Sequence, residues 1–374
     1  MENRGEKTII DLTGMHRMFR IYIYPVYPVY PCLNSLPFPF FSLSPYIFFI
    51  IFFLLILFPQ VTPLNSATPA GEVEIGKEAD RDIIRAYGYF SDKALQEYVN
   101  EIGQKLVKSI KDPVFEYHFK VVDSPEVNAF ALPGGYIYIT RGMLAYVNSE
   151  AELAVILGHE IGHVTSHHAV SQMNKSIASA LLTIAGLIAS QEIRKEAGAW
   201  VTITTQLSQH ILSGYGREAE MQSDELGIIY AHSSGYDPIV MKDFFKKLKA
   251  RERFAGASYH GFLATHPDTI ERIISAEDKA GIIAARGGNL ERYEDKYKAK
   301  IEGLPYGGDS NNKLVKPDKY IHIYTIKNGD TFRSISKDIG GDERVAFETA
   351  LINGKNADDK LTVGEKIKVI MKKP

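Results

Sequence analysis

Two imidazoles and a carboxylate fall within five residues at His159-Glu160-Ile161-Gly162-His163, a spacing that suits hydrolytic metal chemistry. On a helix, positions four apart share a face with Cβ atoms about 5–6 Å apart, so His159 and His163 can grip one ion from the same side. Glu160, one step round, can approach a water on that ion without ligating it. Two histidines are too few for a catalytic zinc, which takes three protein ligands and keeps one position open. Carboxylates on a second helical run, Arg217-Glu218-Ala219-Glu220-Met221-Gln222-Ser223-Asp224, offer the third. Glu220 and Asp224 share a face at i, i+4, so one can bind the metal while the other hydrogen-bonds beside it. On spacing alone Glu218 competes with Glu220, and a two-His, one-carboxylate set suits other divalent ions as well.

These groups need rigid elements to hold them. Residues 151–158, upstream of the first histidine, are rich in helix formers and lack proline, which places the pair well inside a helix. Gly162 leaves one side of that helix bare, where another backbone or a substrate can come close. Tyr136-Ile137-Tyr138-Ile139-Thr140 alternates aromatic and β-branched residues and reads as a strand entered through a Pro133-Gly134-Gly135 turn. If that strand lies at a sheet edge, a peptide can add to it through backbone hydrogen bonds. Residues 74–110 read as helix with Ser91-Asp92 capping a second one, and Phe115–Val122 alternates as a strand.

Four motifs occur in order: Asn128-Ala129-Phe130-Ala131-Leu132-Pro133-Gly134-Gly135, the His159–His163 pentapeptide with its following Val-Thr-Ser-His-His, Arg217–Asp224, and Thr265-His266-Pro267. From about Glu74 to about Gly308 the chain resembles the gluzincin family of CAAX prenyl endopeptidases, and within it the periplasmic BepA-like branch. The resemblance implies a metallopeptidase with one zinc per chain held by His159, His163 and Glu220, and with Glu160 as the general base that activates a zinc-bound water. It also implies Asp224 as a second proton donor, His266 as a reversible zinc ligand or oxyanion stabiliser, and an edge position for the Tyr136–Thr140 strand. Arg217 is read as a structural partner that orients the acidic helix. Two positions depart from the family pattern: Gly216 stands where serine often precedes the arginine, and His167 where arginine is common.

The expected fold class is α+β, a mostly helical zincin-type catalytic domain with a small edge-exposed sheet, followed by a small βααβ domain. Length and composition, 374 residues with 45% hydrophobic and 24% charged, are those of a globular chain. A net charge of −2 gives no basic field for nucleic acid, and the single cysteine, Cys32, excludes an intrachain disulfide and a thiolate zinc cluster. Residues 1–70 read as a leader. Its thirteen-residue apolar run, 46–58, is short for a membrane span and suits a signal peptide, with an uncleaved anchor as the alternative. Export to the periplasm or cell envelope is therefore expected. A catalytic domain then spans 71–291, a polar linker 292–319, and a C-terminal domain 320–374.

That last segment, with Tyr324–Ser336, Leu351–Gly354 and Leu361–Val369 in the order strand, two helices, strand, resembles a LysM module. The resemblance implies binding of N-acetylglucosamine-containing glycans such as peptidoglycan. Between the two metal-binding segments, residues 177–189 are apolar on all sides, so a helix there is buried, lids the cleft, or touches a membrane or an unfolded client. Expected substrates are envelope proteins that are misfolded or misassembled. The rival reading is an envelope chaperone or peptidoglycan-anchored adaptor whose zinc site is latent.

Overall fold

The computed structural model describes residues 68–174, 214–255, 261–267, 270–308 and 315–372. The expected leader with its 46–58 run, Cys32 and the apolar stretch 177–189 lie outside the described residues.

Helix α1 (Pro69–Tyr87) opens on Thr68, whose side chain accepts from the Gly71 amide, and stops at Gly88 in a positive-φ conformation. Helix α2 (Lys93–Val107) opens on Asp92, which accepts from Leu95, so the cap expected at Ser91-Asp92 is Asp92 itself. Leu95, Tyr98, Val99, Ile102 and Leu106 recur at helical spacing and are all buried against the sheet.

The sheet comprises β1 (His118–Val122), β2 (Ala129–Leu132) and β3 (Tyr136–Thr140) in the order β1-β3-β2. Strand β1 runs parallel to β3 from His118 opposite Tyr136 to Val122 opposite Thr140, and β2 runs antiparallel to it on the other side. The Tyr136–Thr140 strand is therefore central, and the edge positions belong to β1 and β2. Which strand pairs on each side is a non-local matter that alternation within five residues does not encode. Ile137 and Ile139 join the main core, whereas Tyr138 packs with Phe130, Leu132 and Ile83 under α1. On that face the Tyr138 hydroxyl donates to Asp80 at 2.6 Å and the Lys120 ammonium pairs with the same carboxylate, pinning α1 to the sheet.

A short helix α3 (Arg141–Tyr146) leads into α4 (Glu150–Thr165), which starts at a Ser149 cap and is buried on every side from Glu150 to Val164. Helix α5 (Arg217–Ser233) lies against it. The two backbones touch through small residues. A Cβ added to Gly158 would stand 3.0 Å from the Gly227 backbone, and one added to Gly162 would stand 3.0 Å from Ser223 Cα. The bare side of Gly162 thus receives a second backbone, and any larger residue would push the two helices apart.

Helices α6 (Val240–Ala255), α7 (Phe262–Thr265) and α8 (Ile270–Ala284) flank this pair, and α9 (Glu294–Lys300) follows. Strands β4 (Pro305–Tyr306), β5 (Lys319–Thr325) and β6 (Lys366–Lys372) form a second, antiparallel sheet with β5 in the middle. Between β5 and β6 lie α10 (Phe332–Asp338) and α11 (Ala346–Ile352), so the segment runs strand, helix, helix, strand.

The stretch 292–319, expected to be a linker, holds α9 and β4. Its polar composition masks Tyr297, Ile301 and Leu304, which are all buried in the main core. The Tyr297 hydroxyl donates to the Leu144 carbonyl at 2.6 Å. The C-terminal segment has a core of its own around Ile326, Phe332, Ile335 and Val369, yet Ile321, Leu351 and Ile370 belong to the main core. Lys368 reaches across to cap the end of α3, donating to the carbonyls of Ala145, Tyr146 and Val147 at 2.7, 3.1 and 2.9 Å. The fold is mixed α and β, mostly helical, with two small sheets.

Candidate metal centre

Three elements converge on one buried point. Helix α4 supplies His159 and His163, α5 supplies Glu220, and the chain leaving α7 supplies His266. One ligand atom from each of these four side chains lies within 4.8 Å of the others. His159 Nε2 is 3.0 Å from His163 Nε2, and each is 3.5 Å from a Glu220 oxygen. His266 Nδ1 is 3.0 Å from Glu220 Oε1 and 3.2 Å from His159 Nε2. None of these residues, nor Glu160, Asp224 or Arg272, exposes more than 2% of its surface.

The outward nitrogens of the two α4 histidines are committed. His159 Nδ1 lies 2.9 Å from Asp224 Oδ1, and because a carboxylate only accepts, Nδ1 carries the proton and Nε2 keeps a free lone pair. His163 Nδ1 lies 3.0 Å from His168 Nδ1, and His168 Nε2 lies 3.1 Å from Gln222 Oε1. A relay from His163 to His168 to the Gln222 carbonyl likewise leaves His163 Nε2 as an acceptor.

Lone pairs facing lone pairs repel unless a cation lies among them. Among the described residues, both Glu160 oxygens and His266 Nε2 are buried without a hydrogen bond, and Glu160 Oε1 lies 3.5 Å from that Nε2. Glu160, Glu220 and Asp224 face one guanidinium, Arg272, and the His266 imidazole, so acidic groups outnumber fixed cations in a buried space and a divalent ion would balance them. The residues present therefore fit a bound divalent metal, with two imidazoles and a carboxylate as its donors.

Arg272 sets the electrostatics on the acidic side. Its Nε and Nη2 donate to Asp224 at 2.6 and 2.9 Å, and Nη1 lies 2.7 Å from Glu220 Oε2. Nη1 also donates to the carbonyls of His266 and Pro267, at 3.1 and 3.2 Å, which fixes the turn carrying the fourth ligand. Burial alone would raise the pKa of Asp224, but Arg272 and the His159 bond outweigh it and bring it down to about 2. Glu220 is likewise held below the ordinary carboxylate range, with the charges of His266 and Arg272 overcoming its burial. Glu160 goes the other way: desolvation raises it despite the nearby His266 and His159.

The profile of peptidase family M48 matches residues 93–280, half of the 374 residues, and covers α4, α5 and the turn after α7 that supplies His266. The chain belongs to peptidase family M48.

Among relatives, the "Beta-barrel assembly-enhancing protease" of Escherichia coli K12 is 29% identical over 248 residues, 65% of this chain and 50% of that protein. The "Putative beta-barrel assembly-enhancing protease" of Vibrio cholerae is 32% identical over 194 residues, 51% of this chain and 40% of its own length. The "Mitochondrial metalloendopeptidase OMA1" of Arabidopsis thaliana is 31% identical over 152 residues, covering 41% and 29%. The chain spans about half the length, or less, of these curated relatives.

The M48 centre brings together His159, Glu160, His163, Glu220, Asp224 and His266, and leaves two expected contributors outside. Arg217 points to the surface and pairs with Glu271 at 2.8 Å, both side chains more than half exposed, so it does not orient the acidic helix. Glu218 is exposed on the same turn and does not compete with Glu220. Asp224 is inside, but its oxygens are taken by His159 and Arg272, and an acid held near pH 2 has no proton to give at neutral pH.

The structuring role expected of Arg217 falls to Arg272, which the motifs alone do not reveal. Its signal is a charge on the buried stripe of α8, where Arg272, Ala276 and Ala280 recur at i, i+4 and i+8. His168, the last residue of the second motif, also lines the centre, as does Tyr215, which no motif marks. The Tyr215 ring stacks on His163 with centroids 4.0 Å apart. His167, where the family often has arginine, sits at φ 53° and meets the buried Glu72 carboxylate at 2.6 Å, tying the first turn of α1 to the end of α4.

Proposed function

We propose that the chain is a zinc-dependent endopeptidase that cuts protein or peptide substrates. The observation that carries this reading is the buried cluster of His159 Nε2, His163 Nε2 and the Glu220 carboxylate, the two nitrogens 3.0 Å apart and each 3.5 Å from a Glu220 oxygen, beside a Glu160 carboxylate that makes no hydrogen bond among the described residues. His159, His163 and Glu220 would hold one zinc ion, whose contribution when bound is Lewis acidity toward a carbonyl oxygen and toward water.

The protein's own steps centre on Glu160. Its raised pKa makes it a stronger base than an exposed glutamate, and its two free oxygens can take a proton from the attacking water and return it to the leaving amine. Asp224 stays ionised throughout and keeps the His159 ring in its orientation and tautomer.

An extended substrate would add along β2. The cleft between that strand and the centre is lined by Ala131, Leu132, His163 and Tyr215, and Ala169 and Val170 from the helical stretch 168–174 fill it to about 10 Å³ of free volume. Room for about one water is not room for a peptide, so the described state is closed and turnover requires that stretch to move. This closure also favours a second reading, an envelope chaperone or glycan-anchored adaptor with a latent centre. Digestion of an unfolded protein such as casein separates the two. The peptidase reading expects cleavage that EDTA stops and added zinc restores; intact casein alongside retained client binding supports the adaptor.

His266 contributes to closure because its Nδ1 crowds His159 and Glu220. His266→Ala should retain zinc and raise turnover several-fold in a casein assay. A drop of tenfold or more would instead assign His266 to transition-state stabilisation.

The physiological setting is proposed by likeness to the relatives named for β-barrel assembly: an exported protein of the periplasm or cell envelope acting on misassembled envelope proteins. Among the described residues no helix is long and apolar enough to cross a membrane, so membrane contact through 46–58 or 177–189 rests on the sequence. The strand, helix, helix, strand order of 319–372 supports a LysM-like module and, through it, peptidoglycan as a partner.

A further inference from the structure

Peptide hydrolysis places a negative charge on the former carbonyl oxygen, and a buried site gains most from a fixed donor at that point. His266, which the family resemblance offers for this role, is engaged with Glu220 and His159, and Arg217 lies at the surface. Tyr215 has what the role needs. It precedes α5 by two residues, it is 8% exposed, and its ring is held flat against His163, with centroids 4.0 Å apart and planes 23° apart. Its hydroxyl is buried and has no hydrogen-bond partner among the described residues. A neutral O–H is rarely left so, because burying a donor without an acceptor is costly.

We propose that the Tyr215 hydroxyl is the protein's hydrogen-bond donor to the substrate's carbonyl oxygen as that carbon becomes tetrahedral. Tyr215 lines the same cleft as β2 residues Ala131 and Leu132 and the ligand His163, so a peptide lying along β2 would run beside it. The O–H bond is not broken. A phenol ordinarily titrates at pH ~10, so this one is protonated at neutral pH. The stack on His163 fixes the ring before substrate arrives, which is the preorganisation that gives such a donor its effect.

This inference rests on the peptidase reading, and Tyr215→Phe tests it separately because phenylalanine keeps the stack and removes only the donor. With a fluorogenic peptide that the wild type cleaves in a chelator-sensitive way, kcat should fall by about 10²-fold while KM stays within about twofold. A phosphonamidate analogue of that peptide should lose affinity by a similar factor. Zinc content should be unchanged, and the metal-free variant should melt at the same temperature as wild type or higher, since an unsatisfied buried group is gone. Unchanged kcat, a change confined to KM, or loss of zinc would each overturn the proposal while leaving the peptidase reading intact. A wild type that cleaves nothing would overturn both.

Discussion

Glu160→Gln should lower turnover by about 10²–10⁴-fold, the usual range for removing a positioned general base. The amide keeps the shape of the side chain and gives up its capacity to accept a proton. Neither Glu160 oxygen makes a hydrogen bond, so the substitution should leave the fold and the ligand triplet in place. Zinc content should therefore equal that of the wild type. The metal-free variant should be no less stable, because a buried carboxylate whose pKa is raised by desolvation is replaced by a neutral group. Casein digestion, peptide kinetics and metal analysis on one preparation check all three. Activity within tenfold of wild type would remove Glu160 from the mechanism.

Arg272→Met should produce the largest loss of stability. Taking one partner from a buried ion pair costs about 3–5 kcal/mol because the remaining charge is stranded, and here two carboxylates, Glu220 and Asp224, lose their counterion together. The turn bearing His266 would lose two hydrogen bonds as well. Urea unfolding of the metal-free proteins measures the difference, and added zinc should recover part of it by binding beside Glu220 in the folded state alone.

The pH dependence follows from Asp224. Its folded pKa of about 2 lies below its ordinary value of 3.8, so its contribution is complete above about pH 4 and is lost as pH falls through 2. In Arg272→Met that acid-side dependence should flatten. A variant within about 1 kcal/mol of wild type at neutral pH would mean that Arg272 holds nothing in place.

The first ligand pair was legible because five residues on one helix state their own geometry. The third ligand was less so. Spacing left Glu218 beside Glu220, and what separates them is the packing face of α5, where Glu220, Ser223, Asp224 and Gly227 lie together against α4 while Glu218 faces solvent. The small residues at 223 and 227 carried that information, since only a helix pressed against another backbone requires them.

Other features depend on partners far along the chain. Strand β3 looks the same locally whether it is central or at an edge, and its place is decided by β1, which pairs with it in parallel from eighteen residues upstream. Arg217 and Arg272 are chemically alike, and their roles are exchanged because α8 turns Arg272 onto its buried stripe while Arg217 points outward from the first turn of α5. The polar stretch around α9 hid three apolar residues that dock it on the main core.

Metal content is the most direct test of the whole account. Tag-free protein prepared with zinc in the medium, exchanged into metal-free buffer and assayed by elemental analysis should hold one zinc per chain. Glu220→Gln, shown by circular dichroism to be folded, should hold far less. A zinc-free wild type that still digests casein, or a Glu220→Gln variant that keeps its full complement of ion, would contradict a centre built by His159, His163 and Glu220.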